Sequence, residues 1–395
     1  MLPFSVEGFN VLLCQLTKAI VDEGDARAKI AVFGPFEEFV VSGILAGSIP
    51  VPGCAPVSNL ASVEILQTVP VTIWTRDHAP IGVFRTHGSE ERVAYVDFPY
   101  YLTRPHDDVG PMWLGLEDGQ PPLEQIDEVK FEGGNLLTDG QGRAWATDIM
   151  LLETALYQGV DPSDEIGMKQ VEKKMRKELR KHLGIEELKL LPSGLVGTDS
   201  NSDREDDALG LTYHVDMGLK IASPNRVIVG QYVDGSASSQ RANEVLDQWA
   251  EKFDAEGWEV FRVISPPNDL ELLDFASDNG YAQVYSYTNS LILNDIVIMP
   301  SYADAGHGAY DEQAELVYEA ALPNHTVVRV DASILVPLSG SIHCITREIV
   351  AGEKLQGSLP IHEIRLTRFG WHLLGRASRG RQRAGLTCGP SDGSM

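Results

Sequence analysis

The spacing of apolar residues predicts strands that alternate with a few helices along most of the chain. Residues 6–22 carry apolar side chains at helical spacing, which predicts an amphipathic helix at the start of the chain. The same periodicity predicts further helices over 164–182, 238–253 and 310–321. Short apolar runs bounded by Gly, Pro and polar turns predict strands at 29–33, 62–66, 71–74, 81–84, 93–97, 129–131, 136–138, 143–146, 188–191, 226–231, 258–264, 284–287, 290–294, 296–299, 326–330 and 341–347.

Strand clusters separated by single helices, without a long linker, indicate one α/β body built from repeated units. We therefore predict a single domain over residues 1–366. The polar segment 193–208 is the one loop long enough to be an insertion, and we expect it to lie at the surface as a lid. From about residue 367 arginines stand among Gly and Ser with almost no acids, which predicts a disordered basic tail over 367–395.

Composition excludes several classes of protein. The chain has 395 residues, of which 43% are hydrophobic and 23% charged, so it can bury a large core. No apolar run approaches the roughly 18 residues that span a bilayer. Residues 1–25 lack the pattern of a secretory signal, because acidic residues interrupt them. These features predict a cytoplasmic protein with no membrane partner.

The charge of the chain bears on its ligands. The formal net charge is −25, from 57 acidic and 32 basic residues. Most of this charge is typical of a solubilising surface. Even so, such a field disfavours nucleic acid as a partner and favours a cationic ligand over an anionic one.

The four cysteines, Cys14, Cys54, Cys344 and Cys388, are scattered and form no CxxC pair. So few cysteines in so long a chain predict reduced thiols, as in a cytosol. One of them could then be a nucleophile, although spacing alone does not say which.

Two segments in the first half of the chain place polar side chains at positions where an α/β fold normally buries apolar ones. Asp77 and His78 come just after Trp74 and before Pro80, at the end of a predicted strand, where sites on α/β scaffolds are built. Glu132 and Asn135 flank two glycines, which permit a tight turn whose backbone can approach a ligand closely. Each signal is weak alone, since a lone aspartate more often caps a turn.

Two further segments lie in the second half. On a strand, His214 and Asp216 would project from one face about 7 Å apart, close enough to converge on one ligand. Cys344 follows a Ser-Gly-Ser stretch and stands beside His343. A free cysteine is more often only buried, but its combination with the other three segments favours a catalytic role.

Together these segments supply a thiol, an imidazole, carboxylates and an indole, which suit a flat cation with an electrophilic carbon. Two carboxylates can hold a guanidinium through paired, charge-assisted hydrogen bonds. A thiolate can attack its central carbon, while histidine protonates the departing ammonia and then activates water.

The sequence resembles the family that contains agmatine deiminases and the bacterial type of peptidylarginine deiminase, within the guanidine-modifying pentein superfamily. Five stretches carry the resemblance, in the family's order and over roughly residues 70–350: WTRDHAP at 74–80, FEGGNLLTDG at 131–140, YHVD at 213–216, YTNSLILNDIVIMP at 287–300 and SGSIHCIT at 339–346. Each stretch is short, but a chance match of all five in the same order is improbable.

The resemblance implies a fold and a set of roles. The fold would be a pentein-type, five-bladed, pseudo-symmetric α/β propeller of ββαβ-like units around one central site. Cys344 would be the nucleophile, His214 the general acid and base, and Asp77 and Asp216 the groups that hold the guanidinium. Residues expected to contact substrate are Trp74, Asn289, Arg104, Glu132 and Asn135.

Departures from the family pattern bear on the substrate. Ser339-Gly340-Ser341 replaces the usual three glycines, and the residues leading into His214 differ from those of agmatine deiminases. The resemblance therefore favours the peptidylarginine branch, in which Arg104 would hold the carboxylate of a C-terminal arginine, with Leu102 in place of a second arginine. The first expectation is deimination of arginine in peptides or proteins to citrulline and ammonia through a covalent thiouronium on cysteine. Agmatine, giving N-carbamoylputrescine, is the alternative, and free arginine comes third.

Two other classes stay open. A zinc hydrolase could use His214, Asp216, His343 and Cys344 as ligands. Adjacent strand residues point to opposite faces, however, which disfavours joint ligation by the last two. A non-catalytic binding module is the other class, but it would not require the full thiol, imidazole and carboxylate set.

The resemblance to the bacterial branch implies no cofactor and no metal, and the acidic runs lack the EF-hand pattern of calcium sites. Two carboxylates beside Cys344 would raise the pKa of its thiol, so we expect the bound cation to help form the thiolate. The oligomeric state is left open.

Overall fold

The computed structural model describes residues 6–32, 34–67, 72–87, 90–101, 104–108, 123–194, 214–267 and 284–349. Its helices are α1 (Val6–Lys18), α2 (Pro35–Leu45), α3 (Thr75–His78), α4 (Ile149–Tyr157), α5 (Glu165–Leu183), α6 (Val215–Gly218), α7 (Ala237–Ala255) and α8 (Gly308–Ala321). Its strands are β1 (Ala28–Val32), β2 (Val63–Gln67), β3 (Ile81–His87), β4 (Glu90–Asp97), β5 (Leu123–Gln125), β6 (Leu137–Thr138), β7 (Arg143–Thr147), β8 (Glu187–Leu191), β9 (Leu219–Ser223), β10 (Arg226–Tyr232), β11 (Glu259–Ser265), β12 (Leu291–Leu293), β13 (Ile296–Ser301) and β14 (Thr326–Asp331).

Within these ranges the strands form five separate sheets. Strands β1 and β2 make a parallel pair. Each of the other four sheets has three strands, in which an antiparallel pair is followed by a third strand parallel to the second. The α/β class predicted from the sequence is confirmed. No described sheet closes on itself, so the arrangement of the five units as a propeller stays a prediction.

The unit formed by β9, β10, α7 and β11 shows why the sequence folds this way. Helix α7 begins where the Ser236 side chain accepts a hydrogen bond from the Ser239 N–H, a standard N-cap. Its apolar face buries Leu246, Trp249 and Phe253 in one core cluster with β10. The helix thereby returns the chain to β11, which pairs in parallel with β10, as a crossover connection requires.

The structure corrects several predicted strands. Residues 72–74, 129–131, 284–287 and 341–347 are loops or turns. Their apolar side chains are buried or half-buried by packing and not by ladder pairing. Their backbone groups bond elsewhere; the His343 N–H, for example, donates to the Asn289 carbonyl at 3.0 Å.

The main predicted helices are confirmed in their positions, whereas α2, α4 and β9 were not predicted. Residues 195–208 of the predicted lid, and the predicted tail at 367–395, lie outside the described residues.

The prediction that all cysteines are reduced is wrong for two of them. Cys14 in α1 and Cys54 in the loop before β2 form a disulfide, with Cα atoms 6.1 Å apart across a sequence separation of 40. Scattered spacing could not reveal this pair, because only the fold brings the two residues together. Such bonds persist mainly in oxidising compartments, so the cytoplasmic location stays a prediction.

Across the described residues, every helix is too short or too polar to cross a bilayer.

Candidate active site

Four short turns from different parts of the chain carry the side chains that the sequence singled out. Asp77 lies on α3, Glu132 directly before the 3-10 turn Gly133–Asn135, and Asp216 on α6, with His214 directly before that helix. Cys344 lies in a turn at residues 342–345. Each helical element is a single turn, so the site is held by packing between the turns and not by any one long element.

Gly134 marks the point where three of these side chains meet. A Cβ at this position would lie 2.7 Å from His214 Nδ1, 2.9 Å from Asp77 Oδ1 and 3.2 Å from Asp216 Oδ2. The Gly134 N–H itself donates to Asp77 Oδ1 at 3.0 Å. Only glycine leaves room for the imidazole and both carboxylates at this point.

His214 is held between two carboxylates. Its Nε2 lies 3.1 Å from Glu132 Oε2, and its Nδ1 lies 3.8 Å from Asp77 Oδ1. Burial alone would lower the pKa of His214, but Asp77 and Glu132 outweigh it and raise that pKa to about 10. His214 is therefore an imidazolium at neutral pH, and with this pKa it gives up its proton only to a strong base.

The carboxylates differ in their ionisation. Burial would raise the pKa of Glu132, but the contact with His214 holds it below its ordinary value. Burial raises the pKa of Asp77 to about 7, against the opposing effect of His214, and the neighbouring Glu132 and Asp216 add to the rise. Asp77 can therefore change its charge near neutral pH.

Asp216 is fully buried and faces two ways. Its Oδ2 lies 2.6 Å from Nδ1 of His343, whose own pKa burial holds well below the ordinary value. A neutral His343 with its proton on Nδ1 then donates to Asp216. The other oxygen, Oδ1, receives no hydrogen bond within the described part of the chain. Burial raises the pKa of Asp216, because it destabilises the charged carboxylate. A cationic hydrogen-bond donor at Oδ1 would stabilise that charge.

Cys344 is buried and lies against Asn289. The Asn289 Nδ2 donates to Sγ at 3.2 Å, while its Oδ1 accepts from the Cys344 N–H at 3.2 Å. Burial raises the pKa of the thiol well above its ordinary value, and Asp216 and Asp77 add to the rise. The predicted direction of this pKa shift is confirmed, and the free protein holds a thiol.

Trp74 packs on the loop that leads to the cysteine. A Cβ at Gly340 would lie 2.6 Å from Trp74 Cη2 and 3.4 Å from the Cys344 Cβ. The indole therefore lies beside the loop of Cys344, and glycine at position 340 is what permits this close contact.

Two residues predicted to contact substrate have other partners. The oxygen of the buried Asn135 side chain accepts from the backbone N–H groups of Thr147 and Val215, at 2.9 and 3.2 Å. The Arg104 Nη1 donates to the Tyr100 hydroxyl at 3.0 Å, and its guanidinium lies 5.3 Å from the ring centre of Tyr101. Asn135 thus anchors the start of α6. Arg104 contacts Tyr101, whose hydroxyl in turn donates to Glu132.

Three contributors to the site were missed from the sequence. The Tyr101 hydroxyl donates to Glu132. The Arg76 Nε donates to the His343 carbonyl at 3.1 Å, and the Arg76 N–H to the Cys344 carbonyl at 3.0 Å. Lys220 is buried four residues after Asp216. A signal existed for the last of these, because a lysine in an apolar run after a candidate acid is unusual.

The predicted local conformations of two pairs are wrong. His214 and Asp216 do not share a strand face, since Val215–Gly218 is a helical turn. His343 and Cys344 lie on a turn and not on a strand. The pairs still reach one site because the turns pack against one another, so the error lies in the element and not in the residues.

A cation can be held here. Ligand atoms of Asp77, Glu132 and His214 all lie within 4.8 Å of one another. An imidazolium, however, has no lone pair to give a metal. With His214 protonated at neutral pH, the set fits an organic cation with N–H donors better than a metal ion.

Known proteins are similar to this chain in sequence and in fold. Residues 41–349 match the family model described as Porphyromonas-type peptidyl-arginine deiminase. The chain is 26% identical over 314 residues to an agmatine deiminase of Medicago truncatula, covering 70% of this chain and 75% of the relative. A relative from Mycoplasma capricolum, also named for that activity, is 25% identical over 232 residues, and the match covers 55% of this chain and 57% of the relative.

Solved structures share the fold. A substrate-bound agmatine deiminase variant of C. jejuni superposes with a TM-score of 0.64 at 17% identity, covering 88% of this chain and 89% of the other. The family model spans most of the chain, and all five motifs lie within the matched residues. The chain belongs to the family of Porphyromonas-type peptidyl-arginine deiminases, in the pentein superfamily with the agmatine deiminases.

Proposed function

We propose that this protein hydrolyses the guanidino group of a small cationic substrate, with agmatine as the first candidate. The observation that carries the proposal is the meeting of Asp77, His214 and Asp216 around Gly134, with Asp216 also acting on the thiol of Cys344. A buried thiol, an imidazolium and two carboxylates are the groups that a guanidinium hydrolysis requires.

Binding of the cation uses the two aspartates. Asp77 and Asp216 accept N–H bonds from the guanidinium, and Asp216 Oδ1 gains a partner that the described residues do not provide. The Trp74 indole flanks the planar cation, as aromatic faces do for guanidinium groups. The bound positive charge lowers the cost of forming the Cys344 thiolate beside two carboxylates.

The proposed chemistry has two halves. The Cys344 sulfur forms a bond to the central carbon, and the carbon–nitrogen bond to one amino group breaks. The His214 imidazolium donates its proton to the departing ammonia, and the thiol proton passes to solvent. A cysteine-bound thiouronium and a neutral His214 remain. Water then attacks the same carbon with His214 as base, the carbon–sulfur bond breaks, and the thiol is restored with a ureido product.

Two observations favour agmatine over arginine peptides. The two relatives and the one solved structure reported above are named agmatine deiminases. Agmatine also carries two positive charges, which suit a chain of net charge −25. The reading drawn from the sequence, peptidylarginine deimination, therefore takes second place. It is favoured by the name of the family model and by Arg104, which could hold a carboxylate near Glu132.

The test is an assay of ureido product and ammonia on agmatine, a peptide with C-terminal arginine and a peptide with internal arginine. Cys344→Ala is the control for the chemistry, and Arg104→Ala for the carboxylate role. We expect turnover of agmatine that Cys344→Ala abolishes and EDTA leaves intact.

Each other outcome has a meaning. Faster turnover of the C-terminal arginine peptide, lost in Arg104→Ala, would replace agmatine by the second candidate. No turnover of any of the three would overturn the proposal and favour a binding module.

A further inference from the structure

Lys220 is a buried ammonium that the proposed chemistry does not use. It lies on β9, is 4% exposed, and its Nζ donates to the Ser290 carbonyl at 2.6 Å. A lysine is rarely buried so deeply unless nearby charges and hydrogen bonds compensate for the lost water. Its surroundings therefore indicate what the ammonium stabilises.

The bond to Ser290 leads directly to the nucleophile. Ser290 follows Asn289, whose side-chain amide holds both the sulfur and the backbone N–H of Cys344. The Asn289 carbonyl also accepts from the His343 N–H at 3.0 Å. Lys220 thus fixes the segment that aligns the thiol.

The charges facing Lys220 belong to the site. They come from α6, α3, the turn around Cys344 and the residues after it, and they are Asp216, Arg76, His343, Cys344 and Glu348. Arg76 is already paired with Glu348, at 2.6 Å from Nη1 to Oε2. Lys220 is then a second buried cation, beside the His214 imidazolium, that balances Asp216, and it also faces the thiolate once that forms.

We propose that Lys220 is a positioning residue of this site, whose ammonium is a counter-charge for Asp216 and the Cys344 thiolate and whose bond to Ser290 keeps Asn289 on the sulfur. The inference deepens the proposed function and rests on Cys344 being its nucleophile. Burial lowers the pKa of Lys220 to about 8, although Asp216 opposes the drop. The counter-charge is therefore present below about pH 8 and is lost above it.

The experiment measures the thiol and needs no substrate, so it is independent of which guanidine the protein uses. The rate of Cys344 alkylation by iodoacetamide is followed by peptide-resolved mass spectrometry over a pH series. The proteins are the wild type, Lys220→Gln and Lys220→Arg. Lys252→Gln is the matched control, because the exposed Lys252 also donates to a backbone carbonyl, that of Leu190, at 3.3 Å.

At neutral pH we expect alkylation of Lys220→Gln to be about tenfold slower than that of the wild type, equivalent to one unit in the pKa of the thiol. The difference shrinks above about pH 8, where the wild-type lysine loses its own charge. Lys220→Arg and Lys252→Gln stay near the wild-type rate at neutral pH. Equal rates in Lys220→Gln and wild type at neutral pH, or a loss that is the same at every pH, would overturn the proposal.

Lys220→Arg keeps the test decisive if Lys220→Gln does not fold. An arginine stays charged above pH 8, so this variant should alkylate faster than the wild type at alkaline pH. Equal alkaline rates in a folded Lys220→Arg would contradict the counter-charge role.

Discussion

Asp77, Glu132 and His214 are nearly buried and shift one another's pKa values. The two carboxylates keep His214 protonated, while burial leaves Asp77 only partly ionised near neutral pH. A site that must bind a cation and donate a proton needs both states together. The range of pH in which both exist follows from these two pKa values.

The pH dependence of kcat/KM should follow these two groups. The value rises with pH through about 7, as Asp77 ionises and can hold a cation, and falls with pH through about 10, as His214 loses its proton. Steady-state kinetics with the substrate found by the assay would measure it. Reassay of preincubated samples at the optimum would separate titration from irreversible loss. A kcat/KM that does not change across neutral pH would contradict this assignment of Asp77.

The residues most easily predicted from the sequence were those in polar motifs. A fold built of short strands normally buries apolar side chains at such positions, so four residues stand out there: Asp77, His214, Asp216 and Cys344. Arg76 did not stand out, because its role depends on partners far along the chain. Lys220 carried a local signal, a lysine in an apolar run, but its partner at Ser290 is also distant in sequence and could not be predicted.

Elements of a single turn carry the site, and this explains where sequence periodicity fails. Helices α3 and α6 each have four residues, too few for a repeat of 3.6 to be distinguished from a strand. Longer helices such as α5 and α7 were predicted close to their observed positions because several turns show the same face. The orientation of α6 is instead set by a residue of another turn, Asn135, whose side-chain oxygen accepts from the Val215 N–H.

Substitution of Asn135 by alanine should affect both stability and catalysis. The change leaves the buried N–H groups of Thr147 and Val215 without their acceptor, which costs about 1–3 kcal/mol in the free energy of unfolding. Because Val215 begins the turn that carries Asp216, kcat should fall as well. Denaturant unfolding measures the first effect. Asn225→Ala, at an exposed position, is the control, and an unchanged midpoint in Asn135→Ala would show that the anchor is unimportant.

At the scale of the whole molecule, the site depends on several units at once. Its turns adjoin β3, β6, β9 and β12. Parts of the chain that meet there can lie 272 residues apart, as Arg76 and Glu348 do. The sequence could predict repeated α/β units, because each repeats the same pattern of strand and helix. How the units face one another is fixed by side-chain packing, which no local pattern encodes.

The Cys14–Cys54 disulfide should stabilise the start of the chain. Closing a loop across a sequence separation of 40 is worth about 4 kcal/mol, mainly by restricting the unfolded chain. Reduction of the native protein, or Cys54→Ala, should lower the unfolding midpoint while leaving kcat unchanged, since neither cysteine bonds to a site residue. A reductant should have no further effect on Cys54→Ala. Equal midpoints for oxidised and reduced protein would argue against the bond.

The position of Cys344 in the chain also has a consequence for synthesis. Cys344 comes after the turns that carry Asp77, His214 and Asp216, and its backbone is held by Arg76 and Asn289, which are made earlier. A ribosome therefore completes those turns before it adds Cys344. Because Asp216 Oδ2 and the Arg76 N–H have their partners in His343 and Cys344, the site is complete only when nearly all of the matched region has emerged.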